Sequence, residues 1–409
     1  MLKGKTVAPL TLGCKVNQYE TDGMIELLKE AGMTAVSFEE KADVYLINTC
    51  SVTNMADKKS RQMIHRAKKL NPDAVVIAAG CYVQAAKDKL MEDDRISIII
   101  GNNKKKDIVQ ILEDYLEIGV TDEGMLDIAA EKEYEPLTIN STLEHTRAYV
   151  KIQDGCNQFC SYCIIPYVRG RIRSRELASI TEEVERLAQT GVKEIVLTGI
   201  HISSYGKDKE NEVGLADVID AISKIESIER IRLGSLEPGI ITDTFIDRIV
   251  DNKKVCPHFH LSLQSGCNTV LKRMNRKYTC EEYFEKCEIL RKAFDRPALT
   301  TDVIVGFPGE TDEEFQETVD YLTKLNLYEM HIFKFSPRQG TVAAGMRDQI
   351  GPEIKNQRSD VLLALSEKNK HAYEASFRGE TLEVLIEEKV RRNGKDGYRG
   401  HTERYIDIF

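Results

Sequence analysis

No stretch of the 409-residue chain approaches the roughly eighteen consecutive apolar residues that a membrane-spanning helix needs. Met1 to Lys5 leads into no apolar signal-peptide core. Neither insertion nor export is indicated, and the expected location is the cytoplasm. An excess of positive charge is also missing. A net charge of -9 excludes a nucleic-acid binder that works through bulk positive charge, so any RNA contact must be a local basic patch. No internal repeat is visible. Ten cysteines are present, but a reducing compartment gives them no disulfide framework. Each therefore needs another reason: burial, metal binding or reactivity.

The first hundred residues alternate strand-like runs (Thr6 to Leu12, Asp43 to Asn48, Ala74 to Ala79, Ile96 to Ile100) with helix-length segments, as in a small parallel sheet. Between Lys58 and Leu70, Met63, Ile64, Ala67 and Leu70 recur at helical intervals, which predicts a crossover helix with a basic outer face. Residues 131–147 are polar and aperiodic, the pattern of a linker. Six further strand-like runs follow: Ala148 to Gln153, Glu194 to Thr198, Arg230 to Ser235, His258 to Leu263, Thr300 to Val305 and Met330 to Phe335. Helix-length stretches separate them, so repeated βα units closing into an open, partial barrel are expected. Thr311 to Glu314 has the pattern of a capping box, and Ser179 to Glu182 is a second candidate. After a helical stretch, Leu382 to Ile386 and Tyr405 to Phe409 read as strands around an Asn393-Gly394 turn.

The expected fold class is thus α/β. A parallel α/β domain (1–130) and a linker (131–147) precede an open (β/α)6 partial barrel (148–372). A β-rich tail (373–409) has the pattern of a small barrel cut short, because an apolar strand edge left open invites aggregation.

The most informative stretch is Gly155 to Cys163, GCNQFCSYC, directly after the first barrel strand. Its spacing is CxxxCxxC. Three thiolates on one loop can hold three irons of a cubane cluster, and a missing fourth ligand leaves one iron open to an outside amine and carboxylate. Structural zinc is the alternative, but zinc wants four closed ligands, usually in two CxxC pairs, and no second pair is nearby. A second set is scattered. Cys14, Cys50 and Cys81 each close a strand-like run, in Leu-Gly-Cys, Asn-Thr-Cys and Ala-Gly-Cys. In a parallel sheet the carboxyl ends of the strands share one side, so the three thiols can converge without any local motif. Ordinary burial of free cysteine explains each thiol singly but not their shared placement.

The CNQFCSYC loop with a βα barrel behind it resembles the radical S-adenosylmethionine superfamily. With residues 1 to about 102 in front and a β-rich tail behind, the whole chain is similar to the radical SAM methylthiotransferase family. The resemblance implies that Cys156, Cys160 and Cys163 hold a 4Fe-4S cluster whose open iron binds S-adenosylmethionine. It likewise implies that Cys14, Cys50 and Cys81 hold a second 4Fe-4S cluster carrying the sulfur to be transferred. One cofactor molecule would methylate that sulfur, and another would supply a 5'-deoxyadenosyl radical. The tail resembles a TRAM domain, which implies an RNA grip. The implied partners are tRNA, at position 37 of the anticodon loop, a low-potential electron donor, and a sulfur donor that the sequence does not identify.

Within the family, Thr11-Leu12-Gly13-Cys14-Lys15-Val16-Asn17-Gln18-Tyr19-Glu20-Thr21 and Leu197-Thr198-Gly199-Ile200-His201 are similar to the branch acting on N6-threonylcarbamoyladenosine. Sister branches act on isopentenyladenosine or on an aspartate of a ribosomal protein. A non-catalytic iron-sulfur sensor that binds RNA is the reading from another class, and cofactor cleavage separates it from the enzyme.

Ligand sites on such barrels lie at the carboxyl ends of strands, which nominates Thr198, Gly199, Ser235, Glu237, Gln264, Ser265, Asp302 and Gly306 as cofactor contacts. Ordinary turn chemistry is the alternative for each. Arg169, Arg171, Arg173 and Arg175 alternate, so in an extended segment they would share one face as an anion site. Lys58, Lys59, Arg61, Arg66, Lys68 and Lys69 form one basic run, and Lys272, Arg273, Arg276 and Lys277 a second. These suit phosphate contacts and solvated helix faces equally. Cys256, Cys267, Cys280 and Cys287 show no ligand spacing, and His201 stands alone.

Overall fold

The computed structural model describes the chain except for residues 120–124, 141–145, 211–212 and 393. Five strands form the first sheet: β1 (Thr6–Thr11), β2 (Thr34–Ala35), β3 (Val44–Thr49), β4 (Val75–Gly80) and β5 (Ile98–Ile100). All pair in parallel, in the order β2-β1-β3-β4-β5. Every residue of β3 is buried, as a central strand covered on both faces requires. Val44 and Leu46 pack with Met24, Leu28 and Ile108 on one face, whereas Tyr45 and Ile47 pack with Ile64, Ala67 and Phe38 on the other. The basic helix forms as Asn54–Leu70, started by Thr53, whose hydroxyl accepts from the Ala56 amide.

This strand order reverses direction between β1 and β3. Doubly wound sheets bind ligands in the crevice outside the carboxyl ends of strands at that switch point. Cys14 and Cys50 follow the two strands that flank it.

The second body begins with β6 (Arg147–Asp154), to which β7 (Arg173–Ser174) pairs antiparallel; β8 (Glu194–Gly199) and β9 (Arg230–Leu233) continue in parallel. Beyond them lie β10 (His258–His260), β11 (Ala298–Val305) and β12 (Glu329–Lys334), also parallel. Backbone hydrogen bonds from Leu236 N to His260 O (2.8 Å) and from Ser262 N to Leu236 O (3.0 Å) bridge the two sets. The strand run from β6 through β12 is therefore the curled, open barrel. Residues facing the helices, such as Val150, Ile195, Leu233 and Val303, form its core. Charged and polar residues alternate with them on the concave side.

The two bodies are wedded through the helix Lys15–Glu30. Met24 and Leu28 pack into the first sheet, whereas Tyr19 belongs to the barrel core beside Leu137 and Ile139. Tyr19 donates its hydroxyl to Leu137 O at 2.6 Å, and the Ile139 amide donates to Glu183 at 2.8 Å. The polar segment expected as a linker thus carries buried Glu135, Leu137 and Ile139. Too few apolar residues stand there for periodicity to show this.

Two local expectations fail. The helix expected to start at Ser179 starts at Leu177, and the Ser179 hydroxyl receives the Arg175 guanidinium (3.0 Å) instead of capping. The capping box at Thr311 and Glu314 does form. In the tail, β13 (Val384–Arg392) pairs antiparallel with β14 (Lys395–Thr402), and β15 (Asp407–Ile408) adds a short third strand. The sequence reading missed β14, whose polar residues and two internal glycines hide its alternation. Asn393 lies outside the described residues, and Gly394 follows at φ 78°. The tail sheet docks under the amino ends of the barrel strands. There Arg230 donates to His401 O (3.0 Å) and Arg232 to Glu403 O (2.9 Å). No helix among the described residues is long and apolar enough to cross a membrane.

Candidate active site

The CxxxCxxC loop is shaped by its neighbours. Gly155 has φ 70°, and a Cβ there would stand 1.8 Å from Arg171 O, so only glycine fits. Cys156 N donates to Gly170 O (3.0 Å), Ser161 N to Met274 O (3.0 Å) and Asn275 to Phe159 O (2.9 Å), which pins the loop from both sides. Arg276 crosses the site, with one guanidinium nitrogen 3.2 Å from Cys160 Sγ and another 2.9 Å from Glu237. Glu237 also meets His201 at 3.3 Å. Burial would raise the Glu237 carboxyl, but His201 and Arg276 overcome it and hold the group below the usual carboxylate range. A cavity of about 600 Å³ opens beside the loop, lined by Gln158, His201, Tyr205, Glu237, Ile240 and Phe245 among others.

Cys14, Cys50 and Cys81 converge at the switch point of the first sheet. Gly80, at φ 95°, lets the chain turn tightly into Cys81, since a Cβ there would stand 2.4 Å from Asn48 Oδ1 and 2.7 Å from Thr49 O. Asn17 ties the turns together by donating to Leu12 O (2.7 Å) and Thr49 O (3.0 Å). Arg169 Nε approaches Cys81 Sγ at 3.2 Å. Cys81 packs against Ile164 and Val168, just past Cys163, so the two cysteine sets are neighbours across one contact.

Both sets fit clusters better than single ions. Among the described residues, neither triad brings its three sulfurs within 4.8 Å of one another. Tetrahedral zinc with bonds of about 2.3 Å demands sulfurs roughly 3.8 Å apart. Burial pushes the thiols of Cys50 and Cys156 up to about 11 and that of Cys163 up to about 12, so a bound metal is what would keep them as thiolates at neutral pH.

Charge beside Cys81 supports the same fit. Glu20 contacts Lys105, Lys151 and Arg169, each at 2.7 Å, and Asp154 contacts Lys151 (2.6 Å), Arg169 (3.1 Å) and Arg173 (3.8 Å). Burial would raise Glu20, yet Arg169, Lys105 and Lys151 hold its carboxyl well below the usual range. All six side chains are at most 4% exposed. Four cations thus face three buried carboxylates, since Glu135 lies beside Lys105 and Lys151, and among the described residues Arg173 Nε and Nη2 donate to no acceptor. Buried charge without compensation is costly, so the surplus suits an anionic thiolate cluster at Cys81.

The arginine face expected at 169–175 does not form. Only Arg173–Ser174 is extended, pairing with β6, which turns the neighbouring side chains inward. Arg169 and Arg173 enter the buried network, and Arg175 pairs with Glu183 and Tyr19. Arg171 alone is exposed, with its guanidinium 4.5 Å from the Phe159 ring centre beside the cysteine loop. In the second basic run Arg273 is paired with Glu314 and Arg276 with Glu237, leaving Lys272 and Lys277 without an acid among the described residues.

The nominated cofactor contacts divide. Thr198, Gly199, Ser235 and Glu237 sit at the carboxyl ends of β8 and β9, and Gln264, at φ 77°, follows β10. Ser265 is buried, meeting Thr318 at 3.4 Å and the Cys267 amide at 3.3 Å, so it holds a turn and does not face the cavity. Gly306 lies under the Lys355 side chain. Asp302 lies within its strand and faces the lumen, 3.3 Å from His260 Nε2. Sequence reasoning gave no role to Glu20, Asp154, Lys105 or Lys151.

Comparison with known proteins places this geometry. The Radical SAM superfamily profile matches residues 150–322, and that of Uncharacterized protein family UPF0004 matches 6–101. The chain is 42% identical to a threonylcarbamoyladenosine tRNA methylthiotransferase, MtaB, of Bacillus subtilis, over 98% of its own length and 90% of the relative's. The MtaB of Aquifex aeolicus is 40% identical over 98% and 96%. A tRNA-2-methylthio-N(6)-dimethylallyladenosine synthase of Thermoanaerobacter pseudethanolicus is 38% identical over 94% and 82%. Among solved structures, the radical S-adenosylmethionine methyltransferase TsrM of Kitasatospora setae shares the fold at TM-score 0.61 and 17% identity, covering 83% of this chain and 75% of that one. The chain belongs to the radical SAM methylthiotransferase family.

Proposed function

We propose that the protein is a tRNA methylthiotransferase that converts N6-threonylcarbamoyladenosine at position 37 of the anticodon loop to its 2-methylthio derivative. Cys156, Cys160 and Cys163 hold one 4Fe-4S cluster, and Cys14, Cys50 and Cys81 hold a second. The observation that carries the reading is the meeting of two three-thiol sets through the contact of Cys81 with Ile164 and Val168. When bound, S-adenosylmethionine and the clusters supply radical chemistry and a sulfur to be methylated and transferred.

The chain's own residues position these partners. Arg276 fixes Glu237 at the mouth of the barrel while donating toward Cys160. Arg169 does the corresponding work at Cys81, and the apolar Ile164 and Val168 exclude water between the two sets. Hydrogen bonds to cluster sulfurs and the polarity around them are the levers that set cluster potential.

The substrate assignment rests on relatives named for two different nucleosides. Anticodon stem-loops carrying either threonylcarbamoyladenosine or dimethylallyladenosine, incubated anaerobically with reconstituted enzyme, cofactor, sulfide and reductant, separate them by nucleoside mass spectrometry. A methylthio product from the threonylcarbamoyl RNA is expected. Product from the dimethylallyl RNA alone would reject the assignment.

A further inference from the structure

The barrel lumen carries polar groups that the cysteine chemistry does not use. Lys15 follows Cys14, and its ammonium, which burial and the nearby Arg147 and Arg232 hold below the usual lysine range, lies 6.0 Å from the centre of the Tyr149 ring. Arg147, Arg232 and Glu194 are its charged neighbours. Their charges are already engaged: Arg232 grips Glu194 with contacts of 2.7 and 3.2 Å, and Arg147 pairs with Glu387 at 3.2 Å. Among the described residues Lys15 has no carboxylate within ion-pairing distance, so it is a cation without an acid partner.

Across the lumen the polar wall continues. His260 Nδ1 meets the Thr300 hydroxyl at 3.0 Å, which fixes the ring and leaves Nε2 buried, 3.3 Å from Asp302 but without a hydrogen bond. His331 stacks on His260 with ring centres 5.7 Å apart, and the ligand atoms of His260, Asp302 and His331 all lie within 4.8 Å of one another. A dimethylallyl group has no polar atom to meet such a set. A threonylcarbamoyl group ends in a carboxylate and a hydroxyl on a ureido stem.

We infer that Lys15 binds the carboxylate of the substrate's N6 substituent, with His260, Asp302 and His331 meeting its hydroxyl and ureido groups. The inference rests on the proposed function and deepens it, naming the residue by which this chain recognises an anionic nucleobase substituent. A charge-assisted hydrogen bond from an otherwise unpaired ammonium is the kind of contact whose loss is felt strongly.

The test uses reconstituted full-length enzyme and two stem-loop RNAs that differ only in the threonyl terminus, one the free acid and the other the neutral carboxamide. Wild type should lose about 10- to 100-fold in kcat/KM on the amide. Lys15→Met should lose a similar factor on the acid and little on the amide, and Lys15→Arg should keep most of the preference for the acid. Equal losses on both RNAs in Lys15→Met, at unchanged iron content, would overturn the inference. If that variant loses iron, the wild-type ratio decides, and a ratio near one would overturn it. Wild type active on dimethylallyl RNA but on neither threonyl RNA would instead reject the function, and the inference with it.

Discussion

Replacing Cys156, Cys160 or Cys163 with alanine is expected to abolish both 5'-deoxyadenosine formation and methylthiolation, whereas replacing Cys14, Cys50 or Cys81 should stop methylthiolation and spare deoxyadenosine. The loss should be at least about a thousandfold, a modest part of the millionfold or greater acceleration typical of enzymes. The two outcomes are separable because the sets are built on different elements. Cys156 to Cys163 ride on the loop after β6, held by Gly170, Met274 and Asn275. Cys14, Cys50 and Cys81 terminate turns after β1, β3 and β4. Cys14→Ala is the cleanest variant, since Cys81 also receives Arg169 and its removal disturbs the buried network. Liquid chromatography of deoxyadenosine beside nucleoside mass spectrometry reads both activities from one reaction. Equal loss of both in Cys14→Ala would contradict the assignment.

Arg169→Leu is expected to destabilise the protein by about 3–5 kcal/mol, the usual cost of removing one partner from a buried ion network. Arg169 is fully buried and bonds Glu20, Asp154 and Asn17 while approaching Cys81, so its loss leaves two carboxylates with fewer cations and an exposed seam between sheet and barrel. Arg169→Lys should recover only part of this, because an ammonium cannot reproduce the planar fork that reaches Asn17 and Glu20 together. Chemical denaturation followed by circular dichroism measures the change. A loss below about 1 kcal/mol, typical of a solvated pair, would mean that the network does not hold the two bodies together.

Much of this architecture was legible in the sequence, and the reasons are physical. The strands of both bodies announced themselves as short apolar runs, because a parallel sheet covered on two faces needs side chains such as Val44 to Ile47 on both sides. The CxxxCxxC loop was legible because its geometry is local. The second triad was legible only through the rule that parallel strands share a carboxyl edge, which places Cys14, Cys50 and Cys81 together although long stretches of chain separate them. The arginine face was misjudged because alternation implies a shared face only in an extended segment, and that segment is extended for two residues. Glu20 and Lys105 were invisible, since a buried ion network is assembled from distant positions whose residue types are the same as those of a solvated surface. Of the lumen set, Asp302 was nominated as a cofactor contact and Lys15 stood in the motif shared with the threonylcarbamoyladenosine branch, whereas His260 and His331 looked like isolated polar positions on their strands.

The account's central claim is most directly tested with a threonylcarbamoyladenosine stem-loop carrying deuterium at C2 of the adenine, incubated anaerobically with reconstituted enzyme, S-adenosylmethionine, sulfide and a low-potential reductant. The account predicts a methylthio nucleoside that has lost the label and 5'-deoxyadenosine that has gained it. Label recovered only in water, or deoxyadenosine formed with no methylthio nucleoside, would contradict it.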